Sequence, residues 1–148
     1  MKITSAAFKN NEKIPEKYTC DGENTSPPLE FSEIPENAKS LVLIIDDPMA
    51  PMGTWTHWTM WNISPTVSEL PEKAAKPEGA IEGMTSFKKT GYGGPCPPKG
   101  SEHKYYFHLY ALNAMVALKE GSDEADLKNT MKPYVIDEAE LIGVYSRK

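Results

Sequence analysis

Proline spacing is the feature that most constrains how this chain can fold. Thirteen prolines are scattered from Pro15 to Pro133, and each proline fixes φ and removes a backbone hydrogen-bond donor. Long helical periodicity is absent before residue 120, as expected for a chain that is interrupted so often. The sequence therefore predicts a mainly β protein built from short segments.

Three segments have the composition of long, central β-strands. Residues 40–47 are β-branched and apolar on both faces, residues 55–63 are rich in aromatic residues and Thr, and residues 103–112 are mostly apolar on both faces. Apolar residues on both faces are typical of strands that are covered on two sides. We expect these three strands to form the centre of a sheet.

The rest of the chain predicts smaller elements. Ser122, followed by acidic residues, is a suitable N-cap for one short helix through about Met131, which would end at Pro133. Residues 141–145 predict a closing strand, and residues 64–91 predict loops and short extended pieces.

The composition indicates one domain and argues against several kinds of partner. A chain of 148 residues that is 39% hydrophobic can form one substantial core, so residues 1–148 are expected to be a single domain. The net charge of -5 provides no basic surface for nucleic acid or for an anionic membrane. No apolar window approaches a membrane span or a signal peptide, which predicts a cytoplasmic protein without integral membrane association.

The two cysteines, Cys20 and Cys96, allow two interpretations. They could pair, but in a chain without an export signal we expect both to be reduced and to react with a thiol reagent. Neither has a second Cys or His at metal-ligand spacing. No metal site and no cofactor are predicted.

A rigid loop precedes the third long strand, within residues 92–105. Glycines at 93–94 leave backbone N–H groups uncovered, and prolines between 95 and 98 fix the loop conformation. His103 and Tyr105 follow it, two residues apart, so that their side chains point in the same direction from a strand. The loop predicts a binding wall, although a turn that leads into a core strand would have the same sequence.

Two other ionisable residues lie where a predicted strand meets a loop. If the strand that ends at Asp47 runs antiparallel to both other long strands, then Asp47, His57 and His103 meet at one edge of the sheet. Taken singly, Asp47 before Pro48 is typical of a turn, and His57 beside a Trp is typical of a core or rim position. His108, on the opposite face of its strand, is assigned to structure.

These motifs, in this order, resemble the phosphatidylethanolamine-binding protein family, also called Raf kinase inhibitor-like proteins. The resemblance implies a central antiparallel sheet flanked by a smaller sheet, and a small pocket that binds phosphate-like anions. Further segments resemble the shorter bacterial and archaeal branch. The segments that carry the resemblance are Asp47–Pro51, His57–Asn62, Gly94–Pro98 and His103–Tyr105, and, for the branch, Cys20–Gly22, Ser26–Leu29 and Ala139–Tyr145.

The resemblance also implies which residues form the pocket. Two departures from the family pattern predict a more open and less acidic pocket: Met49 stands where a second Asp is usual, and the C-terminal closing helix of the animal proteins is expected to be absent. A cis Ala50–Pro51 bond is predicted for the tight loop. The implied ligand-binding residues are Asp47, His57, Gly94, Cys96, Pro97, Pro98, His103 and Tyr105.

We predict a non-enzymatic binding protein for phosphate, a phosphomonoester or a phospholipid headgroup. Protonated imidazoles, the Tyr105 hydroxyl and backbone N–H groups near Gly94 would receive the anion, and Asp47 would orient a histidine or accept from a ligand ammonium. The alternative is a Cys-His-Asp hydrolase with Cys96 as nucleophile and His57 or His103 as base. Regulation of a protein kinase or protease is compatible with the resemblance.

A homodimer is a further prediction. An aromatic rim around Trp55 and Tyr105 would be left partly uncovered, and exposed patches of this kind are commonly buried by association.

Overall fold

Two β-sheets and one α-helix make up the computed structural model, which describes residues 1–147. Short 3₁₀ turns occur at Glu16–Tyr18 and Lys132–Tyr134. The strands and the helix are β1 (Lys2–Thr4), β2 (Glu12–Lys13), β3 (Leu29–Ser32), β4 (Ser40–Asp47), β5 (Trp55–Ile63), β6 (Glu69–Leu70), β7 (Ile81–Glu82), β8 (Glu102–Leu112), α1 (Glu124–Met131) and β9 (Val135–Ser146).

The strands form a large sheet and a small one. The six-stranded sheet has the order β2-β9-β8-β4-β5-β7, and the three-stranded sheet has the order β1-β3-β6. All pairings are antiparallel except that of β2 with β9. The predicted fold class, a central antiparallel sheet flanked by a smaller sheet, is confirmed.

Strand β4 lies between β8 and β5 and is buried along its whole length. Its odd-numbered residues, such as Leu43 and Ile45, belong to the core between the two sheets, and Val42 and Ile44 belong to a second core under α1. Because both faces are covered, β-branched and apolar residues fill both sides of this strand. The bounds of β4 and β5 are those that the sequence predicts.

Two elements near the C-terminus differ from their predicted bounds. The N-cap of α1 is Asp123, not Ser122, and its carboxylate accepts a hydrogen bond from the N–H of Asp126. Strand β9 begins at Val135, six residues before the predicted start, because its polar first half pairs with β8 through backbone hydrogen bonds. Backbone pairing does not require the apolar pattern on which the prediction rested.

Two predictions about the loops are wrong. Cys20 and Cys96 form a disulfide, with Cα atoms 5.4 Å apart, so neither cysteine is a free thiol. The disulfide counts against the predicted cytoplasmic localisation, because disulfides are rare in that compartment. The Ala50–Pro51 bond is trans, as are all peptide bonds among residues 1–147. The chain reverses here through a turn in which the Gly53 N–H donates to the Ala50 carbonyl oxygen, 3.0 Å away.

Candidate ligand-binding pocket

A cavity of about 220 Å³ lies at the end of β4, where β5 and β8 begin. The antiparallel pairing of β4 with both neighbours brings Asp47, His57 and His103 to this edge, as predicted. The loops before β5 and before β8 complete the walls. The lining residues are Asp47, Ala50, Pro51, Met52, Trp55, His57, Phe87, Cys96, Pro97, Pro98, His103 and Tyr105.

Asp47 holds His103 in place. The ring Nδ1–H of His103 donates to Asp47 Oδ2 over 2.5 Å, and Asp47 Oδ1 accepts from the Met49 N–H over 2.9 Å. Both carboxylate oxygens therefore have protein partners, and Asp47 is only 4% exposed. Asp47 orients the histidine, and of its two predicted roles this is the one that the hydrogen bonds support.

The other ring nitrogen of His103, Nε2, has no hydrogen-bond partner among residues 1–147. The ring lines the cavity and is 11% exposed. A histidine that is fixed at Nδ1 by a carboxylate presents Nε2 in one orientation. When the ring is protonated, this nitrogen is a charge-assisted donor for an anion.

A β-bulge directs His57 into the pocket. Ile45 pairs with Trp58 and Asp46 pairs with Thr56, so His57 has no residue opposite it on β4. The side chains of Thr56 and Trp61 lie on the face of the large sheet that α1 covers, which we call the helix face. The side chains of His57 and Trp58 lie on the opposite face, towards the small sheet and the cavity, which we call the pocket face. Simple alternation would place His57 and Trp61 on the same face. The bulge changes the alternation, a common device beside binding sites.

His57 forms two hydrogen bonds with Gly93. The His57 Nδ1–H donates to the Gly93 carbonyl oxygen over 2.7 Å, and the Gly93 N–H donates to the His57 carbonyl oxygen over 3.0 Å. Burial lowers the pKa of His57, although the carbonyl of Gly93 and the carboxylate of Asp47 act in the opposite direction. The neutral ring is therefore favoured, which corrects the prediction that both imidazoles of the pocket are cationic.

Tyr105 lies between the two histidines on the floor of the pocket. Its ring centroid is 5.2 Å from that of His57 and 6.4 Å from that of His103. Burial, and then the nearby Asp47 carboxylate, raise the pKa of the phenol, so the hydroxyl keeps its proton. The hydroxyl has no hydrogen-bond partner within the described part of the chain, and it is a neutral donor for a ligand.

Gly94 does not line the cavity. Its N–H donates to Asn24 Oδ1 over 2.9 Å, and a Cβ at this position would collide with the carbonyl of Tyr18. The N–H group that was expected to bind an anion is therefore used to attach the loop to the N-terminal segment. Close approach of two backbones, not anion binding, requires glycine here.

Apolar side chains that the sequence analysis missed form much of the wall. Phe87 packs edge-on against Trp55 and His57, with centroids 5.5 and 5.4 Å apart respectively, and against Gly93, where a Cβ would overlap its ring. Ala50 and Met52 complete this side. A lone aromatic residue in a polar, lysine-rich loop was the available signal for Phe87.

The disulfide forms part of the opposite wall. Cys96 lines the cavity beside Pro97, and its sulfur is bonded to Cys20. The Cys20 N–H also donates to the Pro95 carbonyl oxygen over 3.1 Å. A cysteine in a disulfide has no thiolate, so the nucleophile of the alternative hydrolase is absent from this structure.

The rim of the pocket differs from the one expected. Tyr105 is buried, with 1% of its surface exposed, and Trp55 is half-buried. Met49 and Met52 are instead the exposed apolar residues, at 77% and 92%. The homodimer stays a prediction, and Tyr105 is not part of the uncovered rim on which it rests.

Comparison with known proteins places this fold in a family. The family model described as phosphatidylethanolamine-binding protein matches residues 4–146. A UPF0098 protein from Pyrococcus horikoshii is 48% identical over 151 residues, which cover 97% of this chain and 76% of that protein. The chain belongs to the phosphatidylethanolamine-binding protein family.

Two solved structures share the whole fold. A phosphatidylethanolamine-binding protein homologue from Chlamydia trachomatis is 42% identical, with a TM-score of 0.93 over 99% of this chain and 97% of its own. YbcL of E. coli, described as a member of the mammalian family, is 35% identical, with a TM-score of 0.93 over 99% of this chain and 98% of its own. These relatives confirm the predicted fold and the predicted membership in the bacterial and archaeal branch of the family.

Within residues 1–147, no group of three or more His, Cys, Asp or Glu side chains is arranged to hold a metal ion. No helix in the same range is long and apolar enough to cross a membrane.

Proposed function

We propose that this protein binds, without chemical conversion, a small molecule that carries a phosphate-like group. The observation that carries the proposal is the Asp47–His103 pair, which leaves His103 Nε2 without a protein partner at the cavity. The family also supports a binding role. A ligand oxygen would accept from His103 Nε2–H and from the Tyr105 hydroxyl.

The shape of the pocket favours an organic phosphate over a free inorganic ion. Apolar side chains of Pro51, Met52, Trp55 and Phe87 surround the polar floor, and a carbon substituent on the phosphate would contact them. A phosphomonoester and a phospholipid headgroup share this chemistry. The volume of about 220 Å³ fits the phosphate group and a few carbon atoms.

The remaining parts of the functional prediction rest on the resemblance alone. Regulation of a protein kinase or protease is a property that the family names suggest, and it stays a prediction for this chain. Cytoplasmic localisation also stays a prediction, and the Cys20–Cys96 disulfide counts against it.

Methyl phosphate titration at pH 5, followed by NMR, tests the proposal. We expect His103→Ala to weaken binding by more than tenfold, because a hydrogen bond to a charged group contributes roughly 1.5–3 kcal/mol. His108→Ala is the matched control, since His108 also pairs with an aspartate of β4 but lies on the opposite face. Equal affinity in wild type and His103→Ala, or no binding to wild type, would refute the proposal.

A further inference from the structure

We propose that the pocket selects phosphate groups that still carry a proton, because His57 offers a hydrogen-bond acceptor and not a donor. This inference rests on the proposed function and adds a ligand class to it: the monoprotonated phosphomonoester. Dianionic phosphates, sulfate esters and phosphodiesters such as a phospholipid headgroup have no P–OH or S–OH proton in solution and would bind less well. Of the two ligand classes of the proposed function, the inference therefore selects the phosphomonoester.

The acceptor follows from the hydrogen bonds of His57. Nδ1 lies 2.7 Å from the Gly93 carbonyl oxygen, which can only accept, so Nδ1 must carry the proton. In a neutral imidazole the second nitrogen, Nε2, then has a lone pair and no proton. No residue within 1–147 donates to Nε2, and the ring lines the cavity.

Three ionisable groups face His57 across the pocket, and none of them occupies this lone pair. Asp47 at the end of β4 is already bonded to His103 and to the Met49 N–H. On β8, Tyr105 is neutral and His103 is turned towards Asp47. The Asp46 carboxylate raises the pKa of His57 only through its charge, because its side chain lies on the opposite face of β4. The Phe87 loop contributes an aromatic ring without charge.

Burial is the reason why His57 stays neutral beside these groups. The side chain is 3% exposed, and its Nδ1 partner is a neutral carbonyl, whereas the Nδ1 partner of His103 is a carboxylate. An imidazolium is stabilised far more by a carboxylate than by a carbonyl. The two histidines therefore have different roles: His103 donates to an anionic oxygen, and His57 accepts from a hydroxyl.

A monoprotonated phosphomonoester satisfies both histidines. One of its oxygens accepts from His103 Nε2–H, while its P–OH group donates to His57 Nε2. A sulfate ester has the same tetrahedral shape and the same single charge, but it would place an oxygen lone pair against the nitrogen lone pair. Leaving a buried acceptor without a donor disfavours binding.

Methyl phosphate and methyl sulfate at pH 5 form a matched pair of probes. Both are monoanions at this pH, since the second pKa of a phosphomonoester is about 6, and they differ by one acidic proton. We expect wild type to bind methyl phosphate about tenfold more tightly, the value of one hydrogen bond. Equal affinities would overturn the inference and leave the proposed function standing. Failure of both probes to bind would refute the two together.

The variant His57→Asn identifies the group that detects the proton. The shorter Asn amide can still donate to the Gly93 carbonyl oxygen, but the substitution removes the Nε2 acceptor. The variant should therefore bind methyl phosphate and methyl sulfate with about equal affinity. A preserved preference would overturn the role of His57. Wild type provides a test that needs no variant: the nitrogen chemical shift of His57 Nε2 should be that of an unprotonated nitrogen at pH 5, and the shift of a protonated nitrogen would contradict the inference.

Discussion

The last two residues of β4 form similar pairs on opposite faces of the sheet, with different outcomes. Asp47 pairs with His103 on the pocket face, and Asp46 pairs with His108 on the helix face, where Oδ1 and Nε2 are 3.2 Å apart. Both aspartates are buried and both histidines come from β8. The chemistry of an Asp–His pair therefore does not by itself make a binding site.

The difference lies in what covers each face. On the helix face, the second ring nitrogen of His108 lies 3.7 Å from Glu140, and Lys128 from α1 lies 3.6 Å from Asp46. Lys128 also contacts Glu124 at 2.7 Å, and Glu124 accepts from Thr56. Each charged side chain of this network has a protein partner, and the network attaches α1 to the sheet.

Within residues 1–147, no helix lies over the pocket face of the large sheet. Loops with Pro51, Pro97 and Pro98 form its walls, so His103 Nε2, His57 Nε2 and the Tyr105 hydroxyl have no protein partners in the described chain. Polar groups without partners at a concave, mostly apolar surface are typical of a binding site. His108, with both ring nitrogens facing carboxylates, has the structural role that the sequence predicts.

The largest expected effect on stability concerns the disulfide, which cross-links the pocket wall at Cys96 to the N-terminal segment. Cys20 and Cys96 are 76 residues apart, and replacing both by Ser should lower the free energy of unfolding by about 4 kcal/mol, because the unfolded chain loses a long cross-link. Urea unfolding without reductant measures this. Wild type with reductant should show the same loss, and a change below about 1 kcal/mol would show that non-covalent contacts hold the wall.

The helix face should show a pH dependence that the disulfide variant keeps. Burial, and then Asp46, raise the pKa of Glu124 to about 7 from an ordinary value of 4.5. Folding therefore favours the protonated form of Glu124. The contribution of this form to the free energy of unfolding is complete below pH 4.5 and is lost as the pH rises to about 7. We expect a loss on the order of 1–3 kcal/mol across this window.

Glu124→Gln tests this assignment. Gln is uncharged at all these pH values and can still donate to Asp46, so the unfolding free energy of the variant should be flatter between pH 4.5 and 7. Asp46 does not cancel the effect: burial opposes ionisation, but His108 and Glu124 hold its pKa below the ordinary value of 3.8, outside this window. An unchanged pH slope in the variant would exclude Glu124 as its source.

The smallest effect should come from the N-cap of α1. Asp123→Ala removes the hydrogen bond from the Asp126 N–H, 2.8 Å long, and should cost about 1 kcal/mol of stability. Methyl phosphate affinity should not change, because α1 lies on the face away from the pocket. A tenfold change in affinity would instead show that the two faces are coupled.

Local patterns in the sequence determined most of the fold. The burial of β4 on both faces, the bounds of β5 and the start of β8 within one residue all follow from runs of apolar and β-branched residues. Antiparallel pairing then places Asp47 and His103 at one edge without further information. The motifs around them also carry the family resemblance.

Only the tertiary structure decided how the pocket residues are used. The Cys20–Cys96 bond and the contact of Gly94 with Asn24 join segments more than 65 residues apart, and propensity and periodicity describe only neighbours in the chain. The bulge at His57 depends on the partner strand. Whether a histidine donates or accepts depends on what bonds its other nitrogen: for His57 a backbone carbonyl, and for His103 a carboxylate.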